Sequence, residues 1–461
     1  MTAPKTIDAT YEPPRIFGPA YRTATIGILL VVTLIAFEGM SVSVVMPAVS
    51  SELHADSVYG LSFSVFLIAS LFANVVSGLW ADRRGYGLPF LLGVVLFVTG
   101  MGLAGAAAGK EMFLLARTVQ GLGAGFTIVA LYVMIARVYP PEARPKVFAA
   151  LSAAWVVPAM VGPAVAGFVA TAVGWRWVFF GIIPLVVPAL VMLVPALGKK
   201  PTEDATPGDG PRSRPLAMTL AATSAAFGAA VLLYGVDLLH RETVVGVIEV
   251  VAGLGLLGYG LARLLPPGAL RFRRGLPTTV MMRGVFSAAF FGVNMYIPLA
   301  LQTVKGFDPR TAGIALTTGA LGWSTGSFLQ SRRTAEPHRR IRLGIACVMT
   351  GILLSLLSVL PGVTGWVAVP AWIVAGFGMG MGMTTVNVTA LKQSPVNEQG
   401  ANSAALSVTD MLGSAVAVGV GGALINVIGH APAQIATGFV VITCVMASVA
   451  LAGTVLAPRT R

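Results

Sequence analysis

The segment Gly78-Leu79-Trp80-Ala81-Asp82-Arg83-Arg84-Gly85 lies between two long apolar stretches of the chain. Three charged residues stand side by side in it, and a glycine bounds each end. Glycine permits a tight turn, and charged side chains are far less costly at a bilayer surface than in its hydrocarbon core. The pattern predicts a short charged turn that joins two membrane-spanning helices.

The whole chain has the composition of a membrane protein. Of its 461 residues, 56% are hydrophobic and only 11% are charged, whereas a soluble domain carries about 25% charged residues. Apolar runs of about 20 residues, the length that crosses a bilayer as a helix, recur from end to end. We predict fourteen spans. They cover residues 23–47, 58–80, 88–108, 112–136, 147–172, 175–197, 216–238, 243–262, 279–302, 311–331, 343–361, 367–390, 401–427 and 433–457.

The net charge of +13 is distributed as a topology signal. When the N-terminus is placed inside, nearly all loop arginines and lysines fall in internal segments. The exceptions are Lys110, Arg176, Arg241, Lys305 and Arg310. The positive-inside rule predicts this asymmetry. We therefore expect a multi-pass protein of the plasma or inner cell membrane with both termini cytoplasmic, whose basic charge faces lipid and not nucleic acid.

A weak internal repeat has a constant offset of 255 residues. The recurring pairs are Gly121 and Gly376, Gly123 and Gly378, Gly125 and Gly380, Pro140 and Pro395, and Gly167 and Gly422. Six spans are too short to fill this offset, so two further helices fit between two six-helix halves. Parallel repeats of this kind are typical of transporter folds, although glycine is abundant here and chance is the alternative.

The predicted organisation is therefore six helices, two helices and six helices. Its parts are a cytoplasmic tail (1–22), a first six-helix bundle (23–197), a linker rich in proline, glycine and charge (198–215), two inserted helices (216–262), a basic connection (263–278) and a second six-helix bundle (279–457).

Three charged residues within predicted spans are candidates for a functional role. At the helical rise per residue, Glu38 and Asp410 are each roughly 13 Å from the nearer predicted end and Arg117 roughly 8 Å. Desolvation favours the protonated form of a carboxyl, and a nearby cation opposes it. A carboxyl between these influences can load and release a proton. We expect Glu38 and Arg117 to serve proton coupling and Asp410 to be a second protonation or substrate-charge site; the alternatives are a neutral buried acid, a snorkelling arginine and a helix-packing hydrogen bond.

Several of these segments resemble the major facilitator superfamily of transporters. Residues 78–85 are similar to its G-x-L-A-D-R-x-G loop, and 117–123 to its R-x-x-Q-G-x-G pattern. Residues 37–47, FEGMSVSVVMP, resemble the L-D-x-T-I-V-N-V-A-L-P stretch of the fourteen-span drug:proton antiporter branch, with Glu38 in place of Asp. Residues 158–167, PAMVGPAVAG, resemble the antiporter motif G-x-x-x-G-P-x-x-G-G.

The resemblance implies an all-α major facilitator fold in which spans 1 and 4 pack side by side. It implies that the first loop latches the two halves in one conformation, through Gly78, Asp82, Arg83 and Gly85. It also implies that span 5 flexes and seals the halves through Pro158, Gly162, Pro163 and Gly167.

The function expected from these features is proton-coupled export of small amphiphilic organic compounds, such as drugs or antibiotics, by alternating access. No ATP-binding loop or catalytic constellation is apparent, so we expect a monomeric transporter, not an enzyme, driven by the proton gradient without a cofactor or metal. Uptake of a metabolite, or export of a lipid or cell-envelope precursor, is the alternative. Candidate cavity residues are Met40, Asn74, Trp155, Phe291, Asn294 and Asn387.

Overall fold

The computed structural model describes residues 16–140, 142–197, 215–239, 242–332, 336–395 and 398–461. Within these ranges the regular elements are helices. Most of the predicted N-terminal tail and of the linker 198–215 lies outside the described residues, so those two predictions are not addressed. The predicted basic connection, 263–278, is described and contains a short 3₁₀ turn, Ala269–Arg271.

Sixteen α-helices account for nearly all of the described chain. They are α1 (Arg22–Leu53), α2 (Tyr59–Arg84), α3 (Gly87–Gly105), α4 (Lys110–Val138), α5 (Arg144–Val173), α6 (Arg176–Phe180), α7 (Ile183–Leu197), α8 (Pro215–Leu238), α9 (Thr243–Leu264), α10 (Leu276–Asn294), α11 (Ile297–Lys305), α12 (Pro309–Arg332), α13 (Pro337–Ser355), α14 (Ala368–Gln393), α15 (Gln399–Ile428) and α16 (Pro432–Leu456).

Thirteen helical segments of the described chain are long and apolar enough to cross a membrane. Two of them are broken helices, because α6 with α7 and α10 with α11 each form one span. The remaining predicted span, 311–331, coincides with α12, a 24-residue helix that is not among these thirteen. The all-helical, polytopic class predicted from the sequence is confirmed.

Two predicted boundaries were wrong. The first span was expected to end at Pro47, but α1 continues to Leu53, because a proline within a membrane helix removes one backbone hydrogen bond without forcing an end. The segment 78–85 was expected to be a turn, but α2 includes Arg84 and only Gly85, with φ of 86°, leaves the helix. The basic residues complement the carbonyl end of the helix, where the dipole favours cations.

The glycines of the repeat make equivalent helix contacts in the two halves. A methyl group added to Gly121 or Gly125 would overlap the backbone of α2, and one added to Gly376 or Gly380 would overlap the backbone of α12. The middle glycine of each copy faces the other way: Gly123 lies against α3, whereas its counterpart on α14 lies against α13. Each copy is therefore a central helix packed closely between two neighbours, as small residues permit in membranes.

The last pair of the repeat lies on the seam between the halves. Gly167 of α5 contacts the start of α12, at Pro309, and Gly422 of α15 contacts the start of α2, at Gly60. Each half thus places one helix against the other half. Hydrogen bonds along the same seam join Ser64 Oγ to the Ala415 carbonyl (2.7 Å), Tyr59 Oη to the Met295 carbonyl (3.1 Å) and Gln302 Nε2 to the Val44 carbonyl (3.0 Å).

The helices α8 and α9 form a hairpin beside this seam. Gly228 and Gly253 let the two helices touch, since a methyl group on either would overlap the backbone of the other helix. Asp237 of α8 accepts a hydrogen bond from Asn426 of α15 (2.7 Å), and the same amide donates to the Ser57 carbonyl (2.7 Å). The outer face of α9 exposes valine, leucine and isoleucine, which suits contact with lipid.

We expect Gly380→Ala to destabilise the protein, because the added methyl group would lie 1.9 Å from the Trp323 carbonyl oxygen. Overpacking of this kind costs about 1–3 kcal/mol. Thermal unfolding of the detergent-solubilised protein measures the effect. Gly255→Ala is the matched control, since nothing lies within 4 Å of its added methyl group; equal melting temperatures for the two variants would contradict the packing described here.

Candidate functional site

Glu38 and Arg117 form an ion pair inside the first bundle. Glu38 of α1 is 1% exposed and Arg117 of α4 is 2% exposed, and Arg117 Nη1 donates to Glu38 Oε1. Charges removed from water are tolerated only when they are paired and hydrogen-bonded. The structure therefore brings together the two residues that were expected to influence each other.

The Arg117 guanidinium makes further contacts within the first bundle. Its Nη1 donates to Gln120 Oε1 (2.7 Å) and its Nε to the Ser62 carbonyl (3.3 Å). The Phe66 ring lies beneath it, 4.5 Å from guanidinium carbon to ring centroid. The carboxylate is less well satisfied, because Glu38 Oε2 is buried and has no hydrogen-bond partner within the described chain. A buried polar atom without a partner is uncommon in folded proteins and often marks a functional group.

The repeat glycines explain why Arg117 reaches this position. Gly121 lies one helical turn beyond Arg117 and against the Phe66 backbone of α2, so the two helices touch there. One turn earlier on both helices, the same close approach brings the Arg117 side chain to the Ser62 carbonyl. Close packing through a small residue thus sets the depth at which the cation lies.

The second half has a neutral arrangement at the equivalent place. Trp372 stands 255 residues after Arg117, and its Nε1 donates to Asn294 Oδ1 of α10 (3.0 Å). Trp372 is fully buried and Asn294 is 7% exposed. The amide of Asn294, predicted to line the cavity, is therefore engaged within the second bundle. The site that carries charge in the first half carries none in the second.

A second ion pair joins Asp410 of α15 to Arg283 of α10. Arg283 Nη2 donates to Asp410 Oδ2 (2.7 Å) and Nη1 donates to Asn387 Oδ1 of α14 (2.6 Å). The other carboxylate oxygen, Asp410 Oδ1, accepts from Ser287 Oγ. Unlike the first pair, these side chains are partly open, at 22% exposure for Arg283 and 26% for Asp410.

The other predicted cavity residues lie on helices of both bundles. Asn74 of α2 donates to Met411 Sδ of α15 (3.1 Å), and its Oδ1 is buried without a partner in the described chain. Met40 and Trp155 are half-buried. Phe291 packs near Trp323, with ring centroids 6.4 Å apart.

The predicted latch residues contact only their own bundle in the described part of the chain. Asp82 and Arg83 are exposed, and Arg137 of α4 donates to the Ala81 carbonyl (3.5 Å). Their predicted role in joining the halves stays a prediction.

The predicted antiporter-motif residues lie where α5 passes between α1 and α12. Ser41 Oγ of α1 donates to the Gly162 carbonyl (3.3 Å). The backbone of Pro163 lies against Gly313 of α12, and Gly167 follows one turn later on the same seam. The helix continues through both Pro158 and Pro163.

Sequence reasoning missed the partners of these charges. It left Arg283 within a span without a role, and it did not single out Ser62 or Gln120 as ligands of Arg117. An arginine in a predicted span is itself a signal, because such a charge requires a partner. Which partner it has depends on the rotation of the helices about their axes, which no local pattern records.

The sequence is similar to a known protein family and to proteins of known name. The sequence profile of the Major Facilitator Superfamily matches residues 28–418. The chain is 29% identical over 440 residues to the probable actinorhodin transporter of Streptomyces coelicolor, covering 88% of this chain and 72% of that protein. It is 21% identical over 319 residues to the multidrug efflux pump SdrM of Staphylococcus aureus, covering 68% and 70%.

A solved structure shows the same fold. A crystal structure of a peptide transporter, POT, in complex with sulfate aligns over 98% of this chain and 97% of its own, with a TM-score of 0.67 and 17% sequence identity. At this identity the similarity concerns the fold alone. The profile match over most of the chain and the common fold lead to one conclusion: the chain belongs to the Major Facilitator Superfamily.

Proposed function

We propose that this protein is a proton-coupled exporter of small amphiphilic organic compounds, working by alternating access in the cell membrane with both termini cytoplasmic. The observation that carries the proposal is the buried Glu38–Arg117 pair with its unpartnered carboxylate oxygen. The names of the relatives, an antibiotic transporter and a multidrug efflux pump, support the substrate class and the outward direction.

Protonation of Glu38 changes the electrostatics of the first bundle in a defined way. A proton on Oε2 removes the negative charge, so the attraction between α1 and α4 weakens, while Arg117 keeps its contacts with Gln120, Ser62 and Phe66. In a low-dielectric interior a charge change of this kind is worth far more than in water. Gain or loss of the proton can therefore bias one packing of α1 over another. The energy source is the proton gradient, and no cofactor enters the scheme.

The contacts between the halves suit repeated separation. At the end predicted to face outside, the seam contains glycine contacts, single hydrogen bonds to main-chain carbonyls and the packing of Tyr59 on Tyr296. The hydrogen bonds that join the two bundles in the described chain reach no further inward along α2 than Asn74. The ten positions of α2 beyond Asn74 include Gly78, Asp82 and Arg83 of the predicted latch. In an outward-open conformation these residues would contact the second bundle. In that state the latch, acting on the second bundle, would replace the outer seam.

Uptake by symport and export of a lipid or cell-envelope precursor are the competing functions. Inverted membrane vesicles separate import from export, because an exporter accumulates substrate in them when an inward-acidic gradient is imposed. A screen of dyes and antibiotics in a host lacking its own exporters then distinguishes a drug exporter from one specific for an envelope precursor.

We expect the double variant Glu38→Gln/Arg117→Gln to fold and to lose transport driven by a proton gradient. Removing only one partner strands a buried charge and costs about 3–5 kcal/mol, whereas the neutral pair Asn294–Trp372 occupies the equivalent site in the second half. The measurement is substrate flux in proteoliposomes with an imposed pH difference, compared with exchange in its absence.

The control is Glu52→Gln, which removes an acidic residue from the same helix. Glu52 also pairs with an arginine, Arg176, but it is 51% exposed, and exposed pairs contribute little. Gradient-driven flux should survive in this variant. If the double variant still concentrates substrate as the wild type does, Glu38 is not the coupling group.

We also expect a cross-link at the outer seam to stop transport. Cysteines at Ser64 and Ala415, whose side-chain and carbonyl oxygens are 2.7 Å apart, would tie α2 to α15 after the native Cys347 and Cys444 are replaced by serine. Oxidation should abolish flux and reduction should restore it. Cysteines at Ser224 and Leu256, which are also in contact but lie within the α8–α9 hairpin, are the control. Flux that persists through a complete Ser64–Ala415 cross-link would argue against rocking.

A further inference from the structure

The cluster of Arg283, Ser287, Asn387 and Asp410 lies in the second bundle, with Arg283 within electrostatic reach of Tyr132 of the first bundle. It joins three helices of the second bundle, α10, α14 and α15. Its charged side chains are partly open, in contrast to the closed pair in the first bundle. An ionisable residue at membrane depth is energetically costly, and such residues usually have a function.

The guanidinium of Arg283 is only partly satisfied. Asp410 binds it through a single oxygen, because the other carboxylate oxygen accepts from Ser287. The Nε atom of Arg283 is buried and has no partner in the described chain. An arginine binds a carboxylate best through two parallel hydrogen bonds. The Nε and Nη2 atoms of Arg283 can therefore donate two parallel hydrogen bonds to one anionic group. Asp410 accepts only the bond from Nη2.

One aromatic side chain of the first bundle lies near this cluster, and a second occupies the repeat position that corresponds to Asp410. Tyr132 of α4 lies within electrostatic reach of Arg283, is 40% exposed, and packs against Phe148 with ring centroids 6.0 Å apart. Trp155 of α5 stands 255 residues before Asp410, the counterpart position in the repeat, and is half-buried. Arg283 of the second bundle thus lies within electrostatic reach of Tyr132 of the first bundle.

We propose that Arg283 binds the anionic group, a carboxylate or phenolate, of an amphiphilic aromatic acid, and that Asp410 is an internal anion which the substrate displaces. This inference rests on the proposed transport function and names the substrate class. The ring system packs on Tyr132 and Trp155, and the anionic group takes both Nε and Nη2 of Arg283.

Displacement of Asp410 couples substrate binding to a proton. Arg283 and Asp410 together carry no net charge, so a bound anion leaves one uncompensated negative charge in a poorly solvated place. One proton from water, taken up by the Asp410 carboxylate, restores neutrality.

No other charge lies close enough to replace Asp410 in this role. Of the helices packed against α15, α16 has no charged residue, and α2 has its charged residues in its last turn. Lys392 lies five positions beyond Asn387 on α14, and Asp237 of α8 meets α15 at the opposite end, beside Asn426. Arg283 is the charged group in direct contact with Asp410 in the described chain, and Tyr132 of the first bundle lies within electrostatic reach of Arg283.

The test is equilibrium binding of three matched probes to the purified protein in lipid nanodiscs: 1-pyrenebutyrate, its neutral methyl ester and the cationic 1-pyrenebutylamine. We expect the carboxylate to bind at least about tenfold more tightly than the ester, since hydrogen bonds to charged groups are the strong ones. Arg283→Gln should remove this preference and leave ester binding unchanged. Arg342→Gln, at an exposed arginine outside the cluster, should retain it.

The variant Asp410→Asn retains the Arg283 guanidinium, so it tests the proposal even if Arg283→Gln fails to fold. Wild-type affinity for the carboxylate should rise as the pH falls, because binding takes up a proton. The Asp410→Asn variant should bind the probe more tightly and without this pH dependence. Equal binding of all three probes, a preference for the amine, or weaker carboxylate binding by Asp410→Asn would overturn the proposal. Those outcomes leave the Glu38 flux experiment untouched, so this inference can fail while proton-coupled export stands.

Discussion

A pair of opposite charges held away from water is the constraint on which this structure depends. Glu38 and Arg117 are each almost completely buried, and the cost of desolvating two such groups is several kcal/mol per ion. The surrounding atoms recover part of that cost through Gln120, the Ser62 carbonyl and the Phe66 ring. One carboxylate oxygen remains outside this network. The pair is therefore held by several contacts without being fully satisfied.

The glycine-rich packing of the bundles makes this arrangement possible. Helices in a bilayer gain little from the hydrophobic effect against one another, so close van der Waals contact must hold them. Glycines on α4 and α14 bring each helix against two neighbours, and glycines on α5 and α15 bring the two halves together. The same features that give tight contact within a half give a seam of small surfaces between halves.

The two halves share a backbone plan but differ in chemistry. The first half carries a closed ion pair where the second carries a tryptophan and an asparagine. The second half carries a partly open ion pair, at Asp410, where the first carries Trp155 at the counterpart position. The two halves therefore share helix contacts at the repeat glycines, whereas one charge cluster is buried in the first bundle and the other is partly open in the second.

The sequence by itself determined the number and approximate limits of the spans, the repeat and the depth of each charge. These features follow from composition and period along one helix, which a single chain displays directly. It did not determine the ends set by local geometry, such as the extension of α1 past Pro47 or of α2 to Arg84. Only the tertiary structure decided which charge meets which, that Asn294 is engaged by Trp372, and that Arg283 belongs to the site of Asp410. Ion pairing between helices depends on their rotation and axial offset, and these are set by contacts between residues distant in the chain.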